Sequence, residues 1–409
     1  MATRKTGTKR DANSVPAGEA AGTAATHGAT NGAGLKEATN PSKSPRTRKP
    51  RKTGSAGLAT QAVKTDKARK TVKAGKSDGA ERAGKAEKSD KAEQPRAGRW
   101  PRVVVFGAGA VGCYFGAKLA EAGAPVTLIG RSTHVDAIRA NGLRFESGGL
   151  SHPIAIGADT GSEPLRDADL VLLCVKTLDT ERAARTIAEM ASPKALVVSM
   201  QNGVDNVERI AHAAGVDAMG AVVYVAASMP GPGHLLHGGR GDLVLGEYGP
   251  PPAGASRAPH RAQEVAAVFE RAGVPCPVSD DVRAALWTKL VMNCVFNAIS
   301  ALSKVRYGMM IADERTRALM SEIVRECCAV AQADGVTLPS VDAMYDAALQ
   351  LGQAMSPATS STAQDLARGK RTEIESLNGY VVRRGDVLGV PVPVNRSLLA
   401  LVLLRETGL

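Results

Sequence analysis

Aromatic residues make up only 3% of this 409-residue chain, and its six cysteines never form a CxxC pair. No run of about 18 consecutive apolar residues occurs, which argues against a transmembrane helix and a membrane partner. Residues 1–30 lack the apolar stretch of a secretory signal, so a cytoplasmic protein is expected. The cysteines (Cys113, Cys174, Cys276, Cys294, Cys327, Cys328) show no framework spacing, and five lie in or beside apolar runs, where a thiol acts as a small hydrophobe. A reducing compartment follows, and no metal site is expected.

Residues 1–99 contain no Phe, Tyr, Trp or Ile, and only Leu35 and Leu58 for leucine. Such a segment cannot bury enough apolar surface to offset its ordering entropy, so a disordered tail is expected over 1–99. Of 52 Lys/Arg and 40 Asp/Glu, residues 1–100 hold 23 and 9; the remainder is nearly neutral. The basic character therefore belongs to the tail. It implies either non-specific attraction to polyanions or a solvated leader with no partner. A near-neutral remainder is weak ground for a nucleic-acid-binding fold.

Order is expected from Trp100. Val103-Val104-Val105-Phe106 reads as a buried strand. Gly107-Ala108-Gly109-Ala110-Val111-Gly112 follows, then a helical pattern to Ala120, a stop at Gly123 and a second strand, Pro125–Ile129. Strand, GxGxxG turn, helix and strand within thirty residues is the pattern of a dinucleotide site. Gly107 makes the turn, Gly109 leaves room for a pyrophosphate, and Gly112 lets the helix lie close on the strand. The helix N-terminus offers N–H groups to the phosphates. After the second strand stands Arg131, where an NAD site carries Asp or Glu. A guanidinium can hold a 2′-phosphate in a fork, so NADPH/NADP+ is the expected cofactor; the bland alternative is a surface arginine.

The α/β alternation continues through a strand at 169–175 that ends in Lys176, a helix near 179–191, and a strand at 195–200 that ends in Gln201-Asn202-Gly203. Lys176 and Asn202 sit at strand ends, where parallel sheets bind ligands, although Asn-Gly is also a common turn. Strands at 221–225 and 241–246 flank a Gly/Pro-rich turn containing His234 and His237, and an edge hairpin is expected there rather than a metal site. From Asp281 the chain turns helical. Lys289, Asn293 and Asn297 share one stripe of an otherwise apolar helix at 283–302. They form either a structural polar network or the polar wall of a cleft. The expected organisation is a Rossmann-type α/β domain at 100–280 and an all-helical domain at 281–409.

Taken in order, these elements resemble the ketopantoate reductase family. They are the glycine turn, Arg131, Lys176, Gln201-Asn202-Gly203, Leu286-Trp287-x-Lys289-Leu290-x-x-Asn293-Cys294-x-x-Asn297, Ser361 with Asp365, and Thr372-Glu373-Ile374 before Asn378-Gly379. The resemblance implies a cleft between the two domains, NADPH as hydride donor and a branched 2-oxo acid as substrate. Lys289 is then the general acid, and Glu373 binds the substrate hydroxyl and orients Lys289. Asn293, Asn297 and Ser361 bond the substrate, and Asn202 bonds the cofactor ribose and helps place Lys289. The implied reaction is reduction of 2-dehydropantoate to (R)-pantoate. The alternatives are a paralogue acting on another 2-oxo acid and, more remotely, a nucleotide-binding regulator working through the tail. Two features depart from the family pattern: Ser360-Ser361-Thr362 in place of Ser-Ser-Met, and the histidine-bearing segment near 230–240. Monomer and homodimer both stay open.

Overall fold

A four-residue run with no polar side chain needs cover on both faces. In the computed structural model this run is strand β1 (Val103–Phe106), with its three valines at most 3% exposed. The structure describes residues 98–249 and 260–408. The expected tail therefore lies outside the described residues, except for Gly98 and Arg99.

β1 pairs in parallel with β2 (Val126–Ile129) on one side and β6 (Leu170–Leu173) on the other. Outside β2 lies β5 (Gly157–Asp159); outside β6 lie β7 (Leu196–Ser199) and β8 (Ala218–Gly231), all parallel. The chain thus builds outward from β1 in one direction, returns, and builds outward in the other. This reversal leaves a crevice at the ends of β1 and β6, where open parallel sheets take ligands. Gly107 permits the close approach there. Its φ is +125°, and a Cβ would lie 2.5 Å from the Cys174 carbonyl carbon.

β9 (His234–Gly246) returns antiparallel beside β8. The sequence places this hairpin at a sheet edge with both histidines in its turn, and the structure differs on both points. β9 pairs with β3 (Leu143–Ser147), and β4 (Leu150–Ile154) lies outside β3, so the hairpin is interior to a nine-stranded sheet. His234 and His237 are on β9 and bond across to β3, with Glu146 at 2.8 Å and Ser147 at 3.1 Å.

Helices α1 (Ala110–Glu121) and α5 (Arg261–Arg271) cover one face of the sheet. On the other face, α3 (Thr180–Met190) and α4 (Asn206–Ala214) share a core with the helical region. Between them α2 (Ser132–Asn141) follows β2. The helical region comprises α6 (Val282–Ser303), α7 (Tyr307–Ala312), α8 (Glu314–Ala333), α9 (Val341–Ala354), α10 (Ser361–Ala367), α11 (Asn378–Leu388) and α12 (Pro393–Glu406). Asp281 starts α6 by accepting a hydrogen bond from Ala284 N at 2.9 Å. By length and hydropathy α6 could cross a membrane, but 67% of its most apolar window is buried in the protein, as befits a core helix. One continuous apolar cluster runs from Val104, Leu173 and Val197 in the sheet, through Trp287 and Phe296 on α6, to Cys327 on α8. The helical region is therefore fixed to the sheet by its own core, and side chains facing the crevice stand on packed elements.

Candidate active site

The glycine turn leaves an open cradle. Gly107 N and Ala108 N both donate to Ile129 O, at 3.0 and 2.9 Å, which draws the turn onto β2. Gly109 is the N-cap of α1. No side chain caps this end, and the first turn, from Ala110 through Val111 and Gly112, contains no acidic residue. A Cβ on Gly109 would meet nothing within 4 Å, whereas one on Gly112 would lie 2.2 Å from Gly107 O and 2.8 Å from Val105 Cγ1. So Gly112 seats the helix and Gly109 faces free space at a positive helix end. That combination fits a pyrophosphate.

Arg131 is the N-cap of α2, directly beyond β2. Its carbonyl accepts from His134 N and Val135 N at 3.0 and 3.1 Å, while its side chain is exposed and makes no hydrogen bond or ion pair with another described residue. One turn on, the His134 pKa is pushed below its usual range by burial, with Arg131 and Lys370 adding to the effect. Arg131 and Lys370 thus both contribute positive potential at this mouth of the crevice.

Lys176 caps the 3₁₀ turn 177–179 after β6. The sequence suggests that its ammonium reaches a cofactor phosphate. In the structure it donates to Asp365 Oδ2 on α10 and to Arg371 O, both at 3.2 Å. It therefore ties the sheet to the loop after α10.

The densest polar contact between sheet and helical region is built on Lys289. Its Nζ donates to Val223 O on β8 at 2.6 Å and to Asn202 Oδ1 at 3.0 Å. Asn202 Nδ2 donates to Glu373 Oε2 at 3.3 Å. Only one amide orientation serves both neighbours, because the ammonium must donate and the carboxylate must accept. Thr177 completes the set: its N donates to Glu373 Oε1 at 3.4 Å and its Oγ1 to Asn202 O at 3.2 Å. Glu373 thus meets Lys289 through Asn202 and through space. Burial lowers the Lys289 pKa to about 8; Glu373 opposes the shift, and Arg240 adds to it.

The other stripe residues divide. Asn293, one turn after Lys289, is half-buried and has no hydrogen bond from its side chain to another described residue. Asn297 is only 3% exposed, and its carbonyl accepts from Ser360 Oγ at 3.2 Å. Ser360, fully buried, is the N-cap of α10; Ser361 beside it is exposed. Thr177, Tyr224 and Arg240 also stand at this site and were missed by sequence reasoning. Tyr224 and Arg240 come from opposite strands of the hairpin, a pairing that no local motif signals.

Comparison with known proteins agrees with this architecture. The profile described as "Ketopantoate reductase PanE/ApbA" matches residues 103–250, and the one for its C-terminal part matches residues 281–406. The chain belongs to the ketopantoate reductase family. A 2-dehydropantoate 2-reductase of Halobacterium salinarum is 35% identical over 309 residues, covering 75% of this chain and 99% of the relative. The crystal structure of a PanE/ApbA family ketopantoate reductase from Ralstonia eutropha JMP134 has 46% identity and a TM-score of 0.69, over 75% of this chain and 98% of that one. D-Mandelate dehydrogenase, solved with NADH and anilino(oxo)acetate, reaches the same TM-score at 23% identity and shares the fold. Membership in the ketopantoate reductase family makes this chain an oxidoreductase with a Rossmann-type NAD(P)-binding domain and a helical C-terminal region.

Proposed function

We propose that the protein reduces 2-dehydropantoate to (R)-pantoate with NADPH, in the cytoplasm, as a step towards pantothenate and coenzyme A. The observation that carries this reading is the fixed ammonium of Lys289. An ammonium has three N–H groups, and two of them are held by Val223 O and Asn202 Oδ1. The third is left for the ketone oxygen of a 2-oxo acid.

Residues 107–112 would hold the pyrophosphate, and Arg131 the 2′-phosphate in the field it shares with Lys370. Asn202 would bond the ribose. The bound cofactor supplies a hydride to the ketone carbon. Negative charge then grows on the ketone oxygen, where the Lys289 ammonium stabilises it and gives up a proton, leaving a neutral amine and an alcohol. A pKa of about 8 suits this role: the group is protonated at neutral pH and releases its proton more readily than an ordinary lysine. Glu373 favours the charged lysine and, with Asn293, Asn297 and Ser361, would bond the substrate hydroxyl and carboxylate. The tail, residues 1–99, takes no part in this chemistry; its charge offers only non-specific attraction to polyanions.

The test is NADPH oxidation with 2-dehydropantoate beside a panel of other 2-oxo acids, repeated with NADH. The highest kcat/KM is expected for 2-dehydropantoate with NADPH. A higher value for another 2-oxo acid would transfer the assignment to that substrate. Absence of turnover on every member would remove it.

A further inference from the structure

The β8–β9 hairpin has an unusual bend. Gly239, Arg240 and Gly241 all have positive φ, at 143°, 52° and 153°. The β8–β9 register shifts here: Tyr224 pairs with Asp242, yet the next pair is Val225 with Arg240. Gly241 is skipped, so this is a β-bulge, a device that re-aims a side chain beside many active sites. An arginine in the left-handed region is strained, and such strain persists only where its surroundings enforce it.

The enforcing contacts are present. His237 Nε2 donates to the Arg240 carbonyl, while its Nδ1 meets Ser147 Oγ at 3.1 Å. The His237 ring lies 4.6 Å from that of Tyr114 and 6.1 Å from that of Phe145. A Cβ on Gly241 would lie 1.8 Å from the Tyr114 hydroxyl, so this position tolerates only glycine. Asp242 takes Nε and Nη2 of Arg240 at 3.0 and 2.7 Å. The guanidinium is thereby laid over the Tyr224 ring, 4.2 Å from its centroid. Nη1 has no hydrogen-bond partner among the described residues.

The same Tyr224 ring is 5.9 Å from Lys289 Nζ. The two cations therefore lie no more than about 10 Å apart, both beside one aromatic ring. A 2-oxo acid carries its carboxylate on the carbon next to its ketone. With a hydrogen bond of about 2.9 Å at each end, it has the length to join Lys289 to Arg240.

We propose that Arg240 binds the carboxylate of the 2-oxo acid, with its free Nη1 edge, while Lys289 meets the ketone oxygen. This rests on the 2-oxo acid reductase reading above and adds to it a recognition residue from the hairpin. His237, Gly239 and Gly241 then form the mount that holds the guanidinium at the correct distance. Arg240 also acts on the chemistry, since its charge helps hold the Lys289 pKa down.

The experiment compares wild type, Arg240→Asn and Arg240→Lys. Asn is chosen because it removes the charge yet tolerates a left-handed φ. Each protein is assayed with the preferred 2-oxo acid and with its uncharged methyl ester, and its Tm is recorded. In Arg240→Asn the KM for the acid is expected to rise on the order of 10- to 100-fold, the range for losing a hydrogen bond to a charged group. The KM for the ester and for NADPH should change little, so that the preference for acid over ester collapses; Arg240→Lys should restore part of it. The basic limb of the kcat profile should also move to higher pH, because a cation near Lys289 is gone. An unchanged acid-to-ester preference in Arg240→Asn overturns the proposal, as does an equal loss on acid and ester accompanied by a lowered Tm. Either result leaves the reductase reading standing, because wild type still turns over the acid. A wild type inert towards every 2-oxo acid removes both.

Discussion

Two carboxylates lie in polar clusters of the helical region, and their bonding differs. Glu326 on α8 accepts from Val394 N, Asn395 N and Asn395 Nδ2, at 2.8, 2.9 and 2.7 Å. Glu373 accepts from Thr177 N and Asn202 Nδ2, at 3.4 and 3.3 Å. The first carboxylate is spent on the N-terminus of α12, where it satisfies amides that would otherwise be orphaned. The second is held at long range from the opposite domain and keeps acceptor capacity for something else. Glu326 is buried and Glu373 half-buried, but exposure alone assigns no chemistry to a carboxylate. Bonding capacity left over, beside a cation whose pKa is displaced, does.

The sharpest way to break this contrast is to remove the cation. Lys289→Ala should lower kcat by a factor on the order of 10²–10⁴, the range for losing a general acid. Glu326→Gln should leave kcat per folded molecule within a small factor of wild type. If both variants lost kcat alike, measured at equal folded fraction, the distinction between the clusters would fail.

Arg131→Ala tests the other end of the crevice. Arg131 has no ion pair among the described residues, so its removal should cost little stability. The NADPH KM should rise on the order of 10- to 100-fold, with the NADH KM nearly unchanged, since only NADPH carries the phosphate the guanidinium would bond. An equal rise for both cofactors would show that Arg131 does not read the phosphate.

The parts legible in the sequence are those whose chemistry is local. Gly107, Gly109 and Gly112 sit within six residues, and the turn and helix start they form follow from that spacing, although the close approach of Gly107 to Cys174 does not. Lys289, Asn293 and Asn297 could be placed on one stripe because the helical period is fixed. Which of the three meets the sheet is not given by the helical period, because that depends on β8 and on Asn202, 87 residues away from Lys289; only the family resemblance pairs Asn202 with Lys289. The same limit explains Lys176, whose ion pair with Asp365 spans 189 residues. Ser360 and Ser361 show it at the smallest scale: one is a buried cap and its neighbour is exposed, and composition cannot choose between them. The hairpin was misplaced because β3 and β4, LRFES and LSHPI, bury few residues and give only a weak alternating pattern. Without those strands β9 looks like an edge.

Stability should separate the clusters in the reverse direction. Glu326→Gln keeps the shape but removes the charge from three short hydrogen bonds, one of them to a side-chain amide. A loss of about 1–3 kcal/mol is expected, read as a lower urea midpoint at unchanged m. Glu373→Gln, whose bonds are longer, should shift the midpoint less. A larger loss at Glu373 than at Glu326 would mean that the cleft carboxylate is mainly structural.

The smallest effect expected is also the most specific to mechanism. Lys289 has its pKa lowered to about 8 by burial, and Glu373 opposes that shift by favouring the ammonium. Neutralising Glu373 removes the opposing influence, so the lysine pKa should fall further. A general acid works only while protonated, so wild-type kcat should decline as pH rises through about 8, and in Glu373→Gln the decline should begin at lower pH. The ratio of variant to wild-type kcat should therefore shrink between pH 6 and pH 8.5, whatever its value at pH 6. Because kcat reports the enzyme–substrate complex, weaker substrate binding by the variant does not imitate this change of shape. A basic limb that stays in place would show that Glu373 does not act on the titrating group, leaving Val223 O and Asn202 to position Lys289.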